Sequence, residues 1–385
     1  MLYSSTTTDQ DFSIYVHLPF CRQKCPYCSF YVIPYKKSVA NVYIETLKKE
    51  WDFYKKEFAS RSLISLYFGG GTPSLHPEGV IELIALFKET FSMETTEISV
   101  EVNPEDGTLD LFKALKKAGV NRLSLGAQTL SNPLLKQIGR THTTGSTLLS
   151  IENAKACGFS NISIDLMTEL PTQTLNDIEN TLNQIQNLDI THVSLYNLQI
   201  EKGTVFYKQK EQLVKKIASD EIAAQMLKTC IRELESMGFE RYEISAFCKK
   251  GKASIHNLGY WTGREFLGLG ASSFSYIKQE RFQNFAHINR YTKLINESKK
   301  PIDFKEKLSP SASLLELFTL HLRLTQGFSL ASFEHRHGKL STITMKEIVK
   351  LCDENFIKKS QNGDLLSLSS KGALFFDEVA PRLIE

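Results

Sequence analysis

Three junctions in this chain, KKAGVNRLSLG, KACGFSNISID and ESMGFERYEIS, follow one plan. A helical stretch ends in glycine, an apolar residue follows, and a strand-like run begins two or three residues later. Glycine just past a helix end adopts the left-handed cap at no steric cost. Gly119 and Gly158 stand one interval of about forty residues apart, and Gly158 and Gly238 two such intervals; a fixed period marks a repeated supersecondary unit. Strand-like runs start at Ile14, Ile64, Glu97, Arg122, Asn161, His192 and Tyr242, with amphipathic stretches such as VIELIALFKETF and LFKALKKAG between them. Strand–helix alternation points to a parallel sheet. The expected fold class is α/β: a partial (β/α) TIM-like barrel of about six or seven βα units, with a smaller C-terminal helical, winged-helix-like domain.

The polar residues fall in one place on that scheme. His17, Gly69–Thr72, Glu101 and Asn103, Gln128, Asp165, Asn197 and Gln199, and Glu243 and Ser245 lie at or just after the C-terminal ends of the strand-like runs. That rim carries the chemistry of (β/α) barrels. Some of these residues suit turns or caps as well, Asn103-Pro104 above all. The FGGGTPS stretch from Phe68 is expected to bring backbone close to a ligand and to leave N–H groups free for a carboxylate or phosphate. It lacks the lysine of a P-loop.

Cys21, Cys25 and Cys28 stand in HLPFCRQKCPYCSFY with C-x3-C-x2-C spacing. Three thiolates suit a 4Fe–4S cubane with one iron left open to a small molecule. A zinc site with His17 as fourth ligand is the alternative. A disulfide framework does not fit seven cysteines in 385 residues without a secretory leader. MLYSSTTTDQDF has neither a basic nor an apolar leader region, and no apolar run approaches a membrane span. A reducing cytoplasm is the expected location. Cys157, Cys230, Cys248 and Cys352 are scattered singly and read as small buried apolar residues. Net charge is +3, from 46 basic and 43 acidic residues, which argues against a dedicated nucleic-acid binder.

The pattern changes near Pro301. SLLELFTLHLRL and ITMKEIVKLCDENFI read as helices, IKKSQNGDLLSLSSKG as a hairpin turning at Asn362-Gly363, and KGALFFDEVAPRLIE as a last helix. The expected organisation is a barrel over 1–248, a connecting segment over 249–300 that carries HNLGYW, and a C-terminal cap or docking domain over 301–385.

With these residues in place, the chain resembles the radical S-adenosylmethionine (SAM) proteins. Within them it is most similar to the coproporphyrinogen-oxidase-like subgroup and its HemW heme chaperone branch. The resemblance runs from about Ile14 to the C-terminus and rests on YVHLPFC-x3-CPYCSF, FGGGTPS, EVNP, NRLSLGAQ, IGRTH, DLM-x2-LP-x-Q and HNLGYW. It implies that Cys21, Cys25 and Cys28 ligate a 4Fe–4S cluster and that SAM fills the open iron. Tyr15 and Tyr27 would flank cluster and SAM, and Gly70, Gly71 and Thr72 would hold the methionine end. Glu101, Gln128, Arg140, Asp165 and Gln199 would line the rest of the SAM site. His256, with Asn257, Tyr260 and Trp261, would form a heme site, since imidazole is a common heme ligand. The implied function is to accept heme and pass it to acceptor hemoproteins, respiratory enzymes among them. A homodimer and transient membrane contact are implied partners of that kind, and nucleic acid is not.

Three departures from the family pattern stand out. Coproporphyrinogen dehydrogenases carry a fourth cysteine where this chain has Phe30. The glycine usual before Leu-Pro is Glu169, and a histidine of the glycine-rich LGLGASSFSY stretch is Phe274. The first weighs against oxidative decarboxylation of coproporphyrinogen III, which stays the alternative function.

Overall fold

The structure, a computed structural model, describes residues 10–360 and 363–384. Its frame is a twelve-stranded sheet. Six βα units come first: β1 (Asp11–Leu18) and α1 (Lys37–Asp52), β2 (Ser62–Gly70) and α2 (Pro77–Lys88), β3 (Glu97–Val102) and α3 (Leu109–Ala118), β4 (Arg122–Gln128) and α4 (Thr144–Ala156), β5 (Ile162–Thr168) and α5 (Leu175–Ile185), β6 (His192–Asn197) and α6 (Asp220–Ser236). The hairpin β7 (Glu240–Glu243) and β8 (Ala246–Cys248) follows, then α7 (Ile255–Trp261), β9 (Glu265–Leu269), β10 (Phe274–Ile277), β11 (Glu280–Asn284), α8 (Ile288–Asn296) and β12 (Ile302–Lys307). The strand order is β12-β11-β10-β9-β1-β2-β3-β4-β5-β6-β8-β7. From β9 to β6 every neighbour is parallel, and both flanks are antiparallel. Among the described residues the two end strands are not hydrogen-bonded to each other, so the barrel is open.

Local chemistry starts and stops these elements where the sequence says it should. Thr108, Thr143 and Thr174 cap α3, α4 and α5, the last two through reciprocal capping boxes. The glycines of the three repeated junctions all have positive φ, at 107°, 79° and 78°. The third junction departs from the plan. YEISAF does not run on as a seventh parallel strand; it turns back at Ile244–Ser245, where the Ser245 carbonyl accepts from Leu195 N–H at 2.7 Å. The seventh parallel strand is β9, which pairs with β1.

Strand alternation sorts the side chains by face. Phe12, Ile14 and Val16, Leu66 and Phe68, Ile98 and Val100, Leu123 and Leu125, and Ile162 and Ile164 face the helices and form the main core. The alternate positions fill the lumen with small or polar groups. Ser65 donates to Ser13 at 2.8 Å, Ser163 meets His192 Nδ1 at 2.7 Å, and Ser124 donates to Asp165 at 3.2 Å.

Residues 249–300, expected as a connecting segment, instead contribute α7 and β9–β11 to the main sheet, and β12 carries it past residue 301. Beyond it, α9 (Pro310–His321), β13 (Phe328–Ser329), α10 (Leu330–His337), α11 (Thr342–Asp353), β14 (Ile357–Lys359), β15 (Leu365–Leu368) and α12 (Phe376–Ile384) enclose a second core around Phe318, Ile348 and Leu366. The β14–β15 hairpin is antiparallel as expected; Asn362 of its turn lies outside the described residues. The expected last helix is divided into Ser370–Leu374 and α12. No helix of the described residues is long and apolar enough to cross a membrane.

Candidate functional site

The C-terminal ends of β2 to β6 surround a cavity of about 390 Å3, and the cysteine loop closes one side of it. Cys21, Cys25 and Cys28 all line it as free, half-buried thiols. Two glycines hold that loop in place. A Cβ on Gly71 would stand 2.6 Å from the Phe20 carbonyl oxygen and 2.7 Å from its nitrogen, and one on Gly139 would stand 2.6 Å from the Pro26 ring. The FGGGTPS and IGRTH motifs are thus seats for the cysteine loop.

The expectation that the glycine loop leaves N–H groups free is not met. Gly70 N–H donates to Glu101 at 3.1 Å, Gly71 N–H to the Leu18 carbonyl at 2.9 Å and Thr72 N–H to the Phe20 carbonyl at 2.7 Å. The loop extends the strand pairing of β1 and β2, and pairing consumes the donors.

His17 is not poised as a fourth metal ligand. Its Nε2 donates to the Tyr31 carbonyl and its Nδ1 accepts from Tyr15 O–H, both at 3.1 Å. Burial holds its pKa down at about 4, so the ring is neutral. His17 thereby ties the far end of the cysteine loop to the barrel wall. Among the described residues no three His, Cys, Asp or Glu side chains converge as ligands of one ion. A cubane instead spreads its thiolates over separate irons.

Arg140 crosses the cavity. Its Nη2 donates to Asn103 Oδ1 at 2.7 Å and to the Gly126 carbonyl at 2.8 Å, and its Nη1 lies 3.7 Å from Cys25 Sγ. Glu101 accepts from Tyr67 O–H at 3.0 Å as well as from Gly70. Burial, together with the neighbouring Asp165, pushes Glu101 up to about 7; burial pushes Asp165 up to about 6. Two buried carboxyls facing one cavity are ready to accept from a cation or from hydroxyls. Gln128 reaches the cavity from a β-bulge with φ of 64°, a left-handed backbone rare outside glycine and typical of functional positions.

Tyr27, Gly70, Gly71, Thr72, Glu101, Gln128, Arg140 and Asp165 therefore meet at one cavity. Tyr15 lies below it, bonded to His17, and Gln199 is exposed outside the lining. Tyr196, Ser124 and Met167 line the cavity without having been singled out in the sequence, although strand alternation places all three on the inner face. Glu243 and Ser245 go elsewhere: Glu243 pairs with Arg323 at 3.5 Å. Glu169 has φ of 61°, which explains why glycine is usual there.

HNLGYW forms α7, which plugs the lumen from below. Glu97 accepts from the N–H groups of Ile255 and His256 at 3.2 and 3.0 Å. His256 is 2% exposed. Its Nδ1 meets Ser65 at 2.9 Å and its Nε2 meets Tyr260 O–H at 2.8 Å. Because Ser65 already donates to Ser13, the His256 Nδ1–H donates to Ser65 and Nε2 accepts from Tyr260. Tyr67 packs on the ring at 4.9 Å. Both ring nitrogens of His256 are thus engaged in hydrogen bonds within the barrel. Asn257 N–H is spent on the Ser254 cap, and Trp261 lies under the Arg323 guanidinium at 4.2 Å.

Residues 15–185 match the Radical SAM superfamily. The chain is 34% identical over 371 residues to "Heme chaperone HemW" of Bacillus subtilis (strain 168), covering 95% of this chain and 97% of that one. The chain belongs to the HemW family. A second HemW, from Lactococcus lactis subsp. lactis (strain IL1403), is 35% identical over 84% of both chains. The solved coproporphyrinogen III oxidase HemN of Escherichia coli superposes with a TM-score of 0.84 at 22% identity, over 97% of this chain and 89% of that one. The likeness to HemN establishes the fold, and the HemW relatives carry the family.

Proposed function

We propose that this chain is a heme chaperone that holds a 4Fe–4S cluster and SAM at the mouth of its barrel and hands heme to acceptor hemoproteins. The observation that carries the cofactor part is the cavity of three free thiols beside the Arg140 guanidinium. Cys21, Cys25 and Cys28 would hold the cluster, whose negative charge suits an adjacent cation. Gly70, Gly71 and Thr72 would shape the wall beside it. Glu101, Asp165 and Gln128 would receive the amine and ribose hydroxyls of SAM, with Tyr27 as a flat side. When bound, cluster and SAM supply one-electron chemistry. The residues present confine that chemistry to a buried, mostly apolar mouth.

The heme part rests on the family, whose named relatives are heme chaperones. Porphyrinogen decarboxylation is disfavoured by Phe30. It stands 64% exposed on the cavity lip where the decarboxylases have a further thiol.

The test is a titration of anaerobically reconstituted protein with heme, followed by transfer to an apo-hemoprotein. Saturable one-to-one binding and transfer are expected. Formation of decarboxylated product from coproporphyrinogen III under reducing conditions would overturn the reading. Cys25→Ala with Cys28→Ala is expected to abolish the cluster absorbance.

A further inference from the structure

The glycine-rich LGLGASS stretch, which follows β9, has a close neighbour far away in sequence. Gly270 has φ of 103°, and a Cβ on it would stand 2.5 Å from the Tyr43 hydroxyl and 2.7 Å from the His17 carbonyl oxygen. Glycine lets the backbone come that close. At this approach Ala271 N–H donates to the Tyr43 hydroxyl at 2.7 Å, and Tyr43 O–H donates to the His17 carbonyl at 2.9 Å.

Glu50 stands about two turns along α1 from Tyr43 and is fully buried. It accepts from Gly270 N–H at 2.7 Å, from Asn284 Nδ2 at 2.6 Å and from Tyr291 O–H. Asn284 Nδ2 also donates to the Gly270 carbonyl at 3.0 Å. All three donors to Glu50 are neutral. Burial pushes its pKa up to about 7, and the donors pull against that. A buried carboxylate is costly, and an apolar residue of its size often serves stability as well. What a buried hydrogen-bond network adds is one fixed arrangement of the elements that share it.

The elements that share Glu50 are those that grip the cysteine loop. The loop leaves β1 at Phe20, whose ring meets Tyr43 edge-on at 5.5 Å, and it returns through Tyr31 to α1. Tyr31 is held twice. Its carbonyl accepts from the His17 ring, and its hydroxyl accepts from Ile288 N–H at 3.0 Å, in the first turn of α8. Tyr291, the donor to Glu50, lies one turn further along α8. Both ends of the loop are thus tied to one carboxylate. Gly71, Gly139 and Arg140 seat the loop from the cavity, and this brace ties it to the main core.

We propose that Glu50 is a positioning residue for the iron–sulfur site. It fixes Phe20 and Tyr31, the two anchors of the cysteine loop, and with them the spacing of the Cys21, Cys25 and Cys28 thiols. The inference rests on the cluster part of the proposed function and deepens it.

The test uses the full-length chain as wild type, Glu50→Gln, Glu50→Leu and Tyr31→Phe, with far-UV circular dichroism and thermal unfolding as folding controls. The first readout needs no cluster. Trypsin cleavage after Arg22 and Lys24, both exposed on the cysteine loop, is followed by mass spectrometry against cleavage at other sites. Glu50→Leu, which keeps bulk and drops the acceptors, is expected to speed cleavage at these two sites roughly tenfold, and Tyr31→Phe roughly fivefold, with other sites unchanged. Glu50→Gln keeps one acceptor oxygen and is expected to lie nearer wild type. The second readout is the electron paramagnetic resonance spectrum of the reduced, anaerobically reconstituted protein and its change on adding SAM. A residue that only stabilises the fold would lower the melting temperature and leave this spectrum alone. Glu50→Leu is expected to alter the spectrum, and Glu50→Gln to bring it back toward wild type. Wild-type cleavage at Arg22 and Lys24 in the variants, faster cleavage spread evenly over the chain, or a wild-type spectrum in folded Glu50→Leu overturns the positioning role. Where Glu50→Leu fails to fold, Tyr31→Phe decides alone. A wild type that assembles no cluster overturns the cluster reading, while the cleavage rates still decide the brace.

Discussion

The Arg140 guanidinium stands 3.7 Å from Cys25 Sγ, held there by Asn103 and the Gly126 carbonyl. This contact links the far rim of the barrel to the cysteine loop, which nothing in the local sequence of either would join. Arg140→Ala removes a fixed cation from beside a thiolate, an interaction of about 1–3 kcal/mol. The expected outcome is a lower iron and sulfide content per chain after desalting, with Arg140→Lys intermediate because a point charge cannot make the same fork of bonds.

Gly71→Ala is expected to destabilise the protein by about 1–3 kcal/mol and to impair cluster assembly, because the new methyl meets rigid backbone of Leu18 and Phe20. Gly158→Ala is the control. Its φ of 79° strains alanine by about 1 kcal/mol, but nothing stands within 4 Å of the added carbon. Thermal unfolding and iron content, measured on both, separate backbone strain from displacement of the loop.

The Glu101 carboxyl predicts a pH dependence. Its folded pKa of about 7 lies above the usual carboxylate value, so its contribution to stability is present in full below about pH 4.5 and is lost as pH rises through 7. Glu101→Gln should therefore make the ligand-free protein more stable than wild type at pH 8, by about 2–3 kcal/mol at most. Affinity for SAM, a cation, should rise in wild type between pH 6 and 8 as Glu101 ionises. It should lose that rise in Glu101→Gln, as isothermal titration at several pH values would show.

His256→Ala should cost about 2–4 kcal/mol, since it opens a void beside Tyr67 and strands the Ser65 and Tyr260 hydroxyls. A denaturation midpoint equal to wild type would contradict the lumen-plug arrangement.

The repeated glycine junctions, the strand-end polar residues and the C-x3-C-x2-C spacing are local signals, and of the strand-end residues Gly70, Gly71, Thr72, Glu101, Asn103, Gln128 and Asp165 meet the three cysteines at one cavity. They announced an open (β/α) barrel and the residues that meet at its mouth, because strand period and helix caps are written within a few residues of one another. Tyr196, Ser124 and Met167 obey the same alternation but are common residue types, so nothing marked them before the strands were aligned. The return of YEISAF as a hairpin depended on pairing with β6, a partner some fifty residues earlier in the chain. HNLGYW is the sharpest case. Its letters mark the branch of the family, yet whether His256 faces solvent or the lumen depends on Ser65, Glu97 and Tyr67, which lie on two other strands. The sequence by itself determined the period, the caps and the thiols. The tertiary structure alone decided which donors were already spent, because a hydrogen bond between strands distant in sequence consumes a group that the local sequence leaves open.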